Sequence, residues 1–413
     1  MTPAGGRETG VSLEDVRRAA ARISDVVRRT PLWPSRALSE LAGTEVLLKM
    51  ENLQRTGSFK IRGALNKVRA MRRCEREKGV VAASAGNHGQ GVALAAAMAG
   101  TKATVVMPSA SAVSKVKATR CYGAEVVMAG RDYDEAFGRA LQICRESDAT
   151  LVHAFDDPLV IAGQGTAGLE IVEELDGPFT LVCAIGGGGL AAGLAVAVKE
   201  SVPEAGVIGV QAEGAPAFLR SMAAGERVST GRVHTIADGI AVGTPGRLPL
   251  DIAGRYVDDV VSVTDDEIAA AILLLLERGK VLVEGAGAAP AAAVLSGKVR
   301  SRKGPLVLFL SWGNLDPSLL SGVISRGLVR SGRLFRWVLE LEDRPGALAG
   351  VLRILADFGV NVVAVDHDRV RSGLQVGRVA VTISVETRDS AHATVALGAL
   401  AAAGLDVGQP NGG

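Results

Sequence analysis

The stretch from 177 to 198 constrains the fold of this chain most. It runs 22 residues without a charge, and Gly186, Gly187, Gly188 and Gly189 stand in its middle. Its length alone would reach across a bilayer. Four consecutive glycines break such a helix, so the stretch reads as an apolar strand, a tight turn and a buried helix from residue 190. A strand that enters a buried helix through glycines is the unit of a parallel sheet covered on both faces. The pattern repeats. Short apolar strands are expected at 44–50, 80–84, 102–107, 125–128, 151–153, 181–185, 207–211 and 306–310. Helical segments separate them, one starting at Asn87; another, over 13–29, precedes the first strand with Ser12 as its N-cap. In such α/β sheets ligands sit at the carboxyl ends of the strands.

Composition removes several classes of function. Forty-six basic residues against 44 acidic ones give a net charge of +2. That balance offers no electrostatic reason to bind nucleic acid or an anionic membrane. Aromatics are 3% of the chain, too few for a base-stacking platform. Glycine is 51 of 413 residues, well above the ordinary ~7%, which suits backbone-lined loops. Cys74, Cys121, Cys144 and Cys183 include no Cys-x-x-Cys pair, so buried apolar thiols are expected instead of disulfides or zinc. Residues 1–12 are small and polar and lack the apolar run of a signal peptide. A flexible N-terminus and a cytoplasmic protein are expected.

Near residue 330 the pattern changes. Residues 325–333 read as a polar, basic connector. Beyond it come a strand at 334–341, a helix at 345–358, strands at 360–366 and 378–385, a helix at 390–403 and a strand at 405–407. That β-α-β-β-α-β order is the split βαβ arrangement. So small a unit buries one sheet face on its helices, and the other often meets a second copy.

Four motifs carry chemistry. In Thr56-Gly57-Ser58-Phe59-Lys60-Ile61-Arg62-Gly63-Ala64, Ser58 is placed to cap a helix that runs to about residue 72. Lys60 then sits in the first turn, against the helix dipole. A solvated lysine gains nothing there, whereas a Schiff-base lysine gains a lowered pKa. Ser84, Ala85, Gly86, Asn87 and His88 form a strand-to-helix junction whose hydroxyl, free N–H groups and imidazole could hold a carboxylate. The same turn could be merely a capped helix start. The tetraglycine loop is a phosphate cradle in form. Gly187 to Ala192, with Glu213 ending the following strand, also approaches a dinucleotide fingerprint, so the loop does not choose its ligand. Ser311 follows the strand at 306–310, where a hydroxyl could reach a ligand.

Taken together the motifs resemble the fold-type II pyridoxal-phosphate enzymes of tryptophan-synthase-β type, specifically the threonine ammonia-lyases. The resemblance rests on Glu51-Asn52-Leu53-Gln54, the Ser-Phe-Lys-x-Arg-Gly-Ala and Ser-Ala-Gly-Asn-His-Gly-Gln blocks, and the four glycines followed by Leu190. It continues through Ala237-Asp238-Gly239-Ile240-Ala241-Val242 and Glu284-Gly285-Ala286-Gly287-Ala288. The tail, with Asp343-Arg344-Pro345-Gly346-Ala347-Leu348 and Gly359-Val360-Asn361-Val362, resembles a single ACT domain of ferredoxin-like form. The implied layout is a two-lobed catalytic domain over 13–329, with a small lobe of about 57–152 inserted. A linker at 330–333 and an ACT domain over 334–413 follow.

The resemblance implies roles. Lys60 would hold pyridoxal 5′-phosphate covalently and, once freed by substrate, remove the Cα proton. The four glycines would bind the cofactor phosphate and Asn87 its 3-hydroxyl. Phe59 would pack on the ring, Gly239 would belong to the cofactor site, and Ser311 would face the ring nitrogen. Ser84, Ala85, Gly86, Asn87 and His88 would take the substrate carboxylate. The implied reaction converts L-threonine, and L-serine as well, to a 2-oxo acid and ammonia. L-Serine deaminase and a serine racemase-like enzyme are the family alternatives. Ala85 stands where racemases usually carry a second serine. Outside the family stand a nicotinamide-dependent oxidoreductase and a non-catalytic amino-acid sensor. Trp312 departs from the family's usual glycine after Ser311. After Glu213 come Ala217 and Leu219 where some relatives add a carboxylate, so no tight metal site is expected. The ACT resemblance implies an amino-acid effector such as isoleucine, held by Asp343, Gly346, Leu348 and Asn361, and a homo-oligomer, with a tetramer favoured.

Overall fold

The computed structural model describes residues 10–301, 303–371 and 373–408. Of the expected flexible stretch, residues 1–9 lie outside the described residues. Ser12 caps the helix Leu13–Ile23 in a reciprocal box with Asp15. This helix ends at Ile23, short of residue 29. Val26 and Val27 turn back to the Ile23 carbonyl, and Pro31 holds the residue before it out of helical geometry. The chain divides into two compact units between Pro317 and Ser318.

In the first unit, β1 (Leu32–Pro34) and β2 (Val46–Lys49) open a large sheet that the chain then leaves. β3 (Val80–Ala83), β4 (Ala103–Met107), β5 (Glu125–Met128) and β6 (Thr150–Leu151) form a separate parallel sheet in the order β5-β4-β3-β6. β7 (Thr180–Ala184), β8 (Gly206–Ala212), β9 (Asp259–Val263) and β10 (Leu306–Phe309) complete the first sheet, in the order β1-β2-β10-β7-β8-β9. Only β1 runs antiparallel to its neighbour in it. The small sheet is thus an insertion between β2 and β7. β1 and β9 lie outside the expected pattern: β1 is an edge strand ending in proline, and β9 is short, with two polar residues among five.

The central strands are buried along their whole length, as helices on both faces require. Glycines let those helices close in. A Cβ at Gly163 would lie 2.6 Å from the Gly63 Cα, and one at Gly193 2.2 Å from the Ile161 carbonyl oxygen. The helices Lys60–Ala70, Pro158–Val172 and Gly189–Ser201 therefore pack backbone to backbone. This contact locks the start of the Lys60 helix to the body of the unit. Of the cysteines only Cys183 is buried; Cys74 and Cys121 are exposed and Cys144 is half-buried, so the buried-thiol expectation holds for one of the four.

In the second unit the expected connector is helical. The helix Pro317–Arg330 runs through most of it, because Leu320, Val323, Ile324 and Leu328 recur at helical spacing. β11 (Leu334–Glu342), β12 (Asn361–Asp368), β13 (Arg378–Glu386) and β14 (Val407–Gly408) form an antiparallel sheet in the order β12-β13-β11-β14. The helices Ala347–Asp357 and Ser390–Ala402 connect them, in the β-α-β-β-α-β order. Alternation is strict on β11, where Trp337, Leu339 and Leu341 enter the core.

Candidate active site

Lys60 is the first residue of its helix, and Ser58 is not the cap. Ser58 is extended and bridges Trp312 as a short antiparallel pair, which moves the cap on by one residue to Phe59. The Phe59 N–H donates to the Ser311 carbonyl at 3.3 Å. The helix entrance is therefore pinned to the segment that follows β10. The Lys60 Nζ donates to the Ala154 carbonyl at 3.1 Å and lies 5.1 Å from the Phe59 ring centre. Burial pulls its amine down to about 8, and the nearby Glu284 opposes this.

Lys60 lines two adjoining cavities. The first is also lined by Ser84, Ala85, Gly86, Asn87 and His88, and by Lys115, Tyr133 and Asp238 on its rim and walls. The second contains Gly186, Gly187, Gly188 and Gly189, beside Phe59. Phe155, Gly239, Val242 and Trp312 line both. The parallel sheets place the Ser84 loop and the glycine loop after the carboxyl ends of β3 and β7 respectively.

The glycine loop leaves no room for side chains. A Cβ at Gly187 would lie 2.4 Å from the Phe155 ring and one at Gly188 2.3 Å from Phe218; Gly188 also has φ +92°. The helix Gly189–Ser201 opens there, so its first N–H groups have no acceptor within the helix. Such a turn accepts a phosphate. Ser311 is fully buried and its Oγ has no partner. A cradle closed to side chains, an unpartnered buried hydroxyl and an amine of lowered pKa together fit pyridoxal phosphate. Ser311 itself does not line either cavity. Trp312, 2% exposed, does, and its ring is tilted on Phe59 at 5.0 Å between centres.

Asn87 is held from both sides. Its Nδ2 donates to Glu284 Oε1 at 2.9 Å, and its Oδ1 accepts from Asn314 Nδ2 at 2.7 Å. The Ser84 Oγ accepts from the N–H groups of Gly86 at 3.0 Å and Gly89 at 2.8 Å, which shapes the turn. The His88 ring corrects an expectation. Its Nε2 lies 2.8 Å from the Val152 carbonyl and so carries the hydrogen. Burial, then the Lys60 charge, push this imidazole down to about 3. The neutral ring presents a lone pair at Nδ1, and cannot donate to a carboxylate. The first N–H groups of the helix Asn87–Ala99 have no acceptor within the helix.

Four groups of this site were not legible as such in the sequence: Glu284, Lys115, Asp238 and Tyr133. Burial, and then Asp238, push the Glu284 carboxyl up to about 8. Lys115, from the small-sheet lobe, pairs with Asp238 from the large-sheet lobe across the cavity rim. Glu284 and Asp238 stand in motifs that mark the family without disclosing a task. Lys115 and Tyr133 carry no motif at all.

The ACT-like unit has its own cavity. Asp343, Gly346 and Leu348 line it, with His367 and Arg369 opposite. Asn361 does not line it; it opens β12 and donates to Glu386 at 3.4 Å.

Comparison with known proteins identifies the architecture. Residues 23–311 match the model of the pyridoxal-phosphate dependent enzyme family, and residues 337–402 match that of the ACT domain. The chain is 46% identical over 397 residues to an L-threonine ammonia-lyase of Thermotoga maritima, covering 96% of this chain and 99% of the relative. The chain belongs to the threonine ammonia-lyase family of pyridoxal-phosphate-dependent enzymes. Among solved structures, T.th. threonine deaminase superposes with a TM-score of 0.69 at 43% identity, over 74% of this chain and 99% of that one. Maize serine racemase gives 0.73 at 33% identity, over 78% and 99%. The cofactor is pyridoxal phosphate, so the dinucleotide reading of the glycine loop falls. Among the described residues no cluster of three metal-binding side chains occurs, and no helix is long and apolar enough to cross a membrane.

Proposed function

We propose that the chain catalyses the dehydrative deamination of L-threonine to 2-oxobutanoate and ammonia, and acts on L-serine as well. The observation that carries this reading is the Lys60 amine, lowered to about 8, on the wall shared by a glycine cradle and the Ser84–His88 turn. When bound, pyridoxal phosphate supplies an electron sink that makes the substrate Cα proton removable. The glycine loop and its helix N-terminus hold the phosphate, and Asn87 is oriented by Glu284 and Asn314 toward the ring hydroxyl. The neutral Lys60 amine takes the Cα proton. First-turn N–H groups of the helix Asn87–Ala99 hold the carboxylate. Ser311, buried with an unpartnered Oγ just behind the cavity wall, would face the ring nitrogen as a neutral hydroxyl that does not force a charge on it, which favours prompt loss of the β-substituent. Ala85 offers only a methyl group, so no acid stands there to return a proton on the opposite face. This favours elimination over racemisation.

Threonine and serine differ by one methyl group, worth about 1–3 kcal/mol in a pocket. Both should therefore release ammonia. In the second unit, Asp343 pairs with Arg369 at 2.8 and 3.1 Å and would exchange that partner for an ammonium. It and the opening of the helix Ala347–Asp357 at Gly346 are the groups for a small amino acid such as isoleucine. The test is steady-state kinetics on both substrates with and without isoleucine, with chiral analysis of the amino acid left over. The expected result is 2-oxobutanoate from threonine, a rate lowered by isoleucine, and no D-amino acid accumulating beside the ammonia. A protein that formed D-serine as fast as ammonia would sink the lyase reading.

Glu284 gives a further prediction. Its negative form holds the Lys60 amine up. Glu284→Gln keeps a hydrogen-bonding group for Asn87 and removes the negative form that the carboxyl, pushed up to about 8, takes on in the pH range where Lys60 also titrates. The Lys60 pKa should then fall further. The pH midpoint of cofactor capture, followed by visible absorption, should shift to lower pH in the variant. A shift to higher pH, or none, would show that Glu284 does not act on Lys60.

A further inference from the structure

Among the described residues, three that line the first cavity carry a buried polar atom without a hydrogen-bond partner, Tyr133, His88 and Trp312; the Trp312 indole N–H can only donate, and the other two form a donor and an acceptor. Tyr133 begins the helix Tyr133–Ser147 of the small-sheet lobe and lines the cavity. Its Oη is buried and has no hydrogen-bond partner. The ring is not free to turn away. It stacks on Phe137 at 6.0 Å; Phe137 meets the edge of His153 at 5.3 Å, and His153 that of Phe155 at 4.7 Å. Phe155 in turn fills the space beneath the glycine loop. The second atom is the His88 Nδ1, likewise buried and unpartnered. The Val152 carbonyl fixes the ring hydrogen on Nε2, so Nδ1 can only accept.

We infer that Tyr133 and His88 together recognise the β-hydroxyl of the substrate. A lone pair at His88 repels a carboxylate, which the helix N–H groups take instead. The α-nitrogen would be held at the cofactor site beside Lys60. What a buried hydroxyl and a buried ring lone pair can share is a group that both donates and accepts, and the β-hydroxyl is the only such group on a hydroxy-amino acid. Its hydrogen goes to Nδ1 and its oxygen accepts from the phenol. Burial keeps that phenol protonated, and so a donor. The pair selects hydroxy-amino acids over analogues of the same shape, because an analogue without the hydroxyl leaves both buried atoms unpaired. This rests on the proposed lyase reaction.

Tyr133→Phe removes the donor and keeps the ring stack; His88→Gln keeps a donor for Val152 and takes the acceptor away from the Nδ1 position, leaving only an amide oxygen elsewhere. The holoenzymes are assayed on L-serine and on β-chloro-L-alanine, whose chloride leaves without a hydrogen-bond partner. L-2-Aminobutyrate, the threonine skeleton without its hydroxyl, serves as a competitive inhibitor. In each variant the ratio of kcat/KM for serine to that for chloroalanine should fall about tenfold or more, while inhibition by aminobutyrate moves less than about twofold. Equal losses on both substrates, or weakened aminobutyrate binding in step with them, would mean a merely structural role and overturn the inference. An unchanged ratio overturns it too. Failure of the lyase reading shows elsewhere, in a wild-type protein that releases no ammonia from serine, and it overturns both.

Discussion

Lys60→Ala should lose turnover of threonine by about two to four orders of magnitude, the range spanned by a positioned proton-transfer group. The effect is large because two tasks meet on one nitrogen. To capture an aldehyde the amine must be neutral, and to take a Cα proton it must be neutral again. With its pKa lowered to about 8, about a tenth of the amine is neutral at pH 7, against about 0.03% for an ordinary lysine. Lys60→Arg should not rescue activity, because a guanidinium stays protonated. A small primary amine added to Lys60→Ala should restore part of the rate, since the cavity then has room where the side chain was. The structural check is independent of rate: borohydride should fix the cofactor on the Lys60 peptide of the native chain and on no peptide of the variant. Variant turnover near the native rate would remove Lys60 from the reaction.

How far the sequence reveals the molecule follows from what each residue's role depends on. Strands buried on both faces are written as apolar runs, so the parallel core was legible. The tetraglycine turn was legible because four glycines have no other common use between a strand and a helix. The Ser58 cap was not: Ser58 is drawn into a bridge with Trp312, a residue far along the chain. The helix Pro317–Arg330 was hidden by its arginines and serines, whose polarity outweighs the apolar spacing to the eye. The His88 tautomer depends on the Val152 carbonyl, and the cavity position of Lys115 on its pairing with Asp238 across two lobes. Local propensity carries no trace of either partner.

Arg62→Met should destabilise the first unit by about 3–5 kcal/mol near neutral pH, the cost of orphaning a buried ion pair. Arg62 lies two residues beyond Lys60, so its side chain leaves the helix on nearly the opposite side. There it is fully buried and bonds Glu51 at 2.7 and 2.8 Å, Glu170 at 2.7 and 3.0 Å, and Thr166 and the Arg28 carbonyl at 3.1 Å each. Lys49 adds a bond to Glu170 at 2.7 Å, and Thr30 one to Glu51 at 2.6 Å. Two cations thus balance two carboxylates, and removing Arg62 leaves one lysine for both. The sign with pH follows from Glu51. Burial raises its pKa but Arg62 wins, and the carboxyl is held below its usual 4.5. A depressed carboxylate stabilises the fold above pH 4.5, and the gain is lost as pH falls through the native pKa. Without Arg62 the same carboxylate keeps only the Thr30 bond and a share of Lys49, and its buried charge is relieved by protonation. The gap between native chain and variant in a denaturant titration should therefore narrow as the solution is acidified. A gap that stayed constant would mean that Arg62 holds this unit by packing alone. A gap that narrows ties the charge network to the helix that carries Lys60, because the same first turn presents the amine to the cavity and the guanidinium to the core.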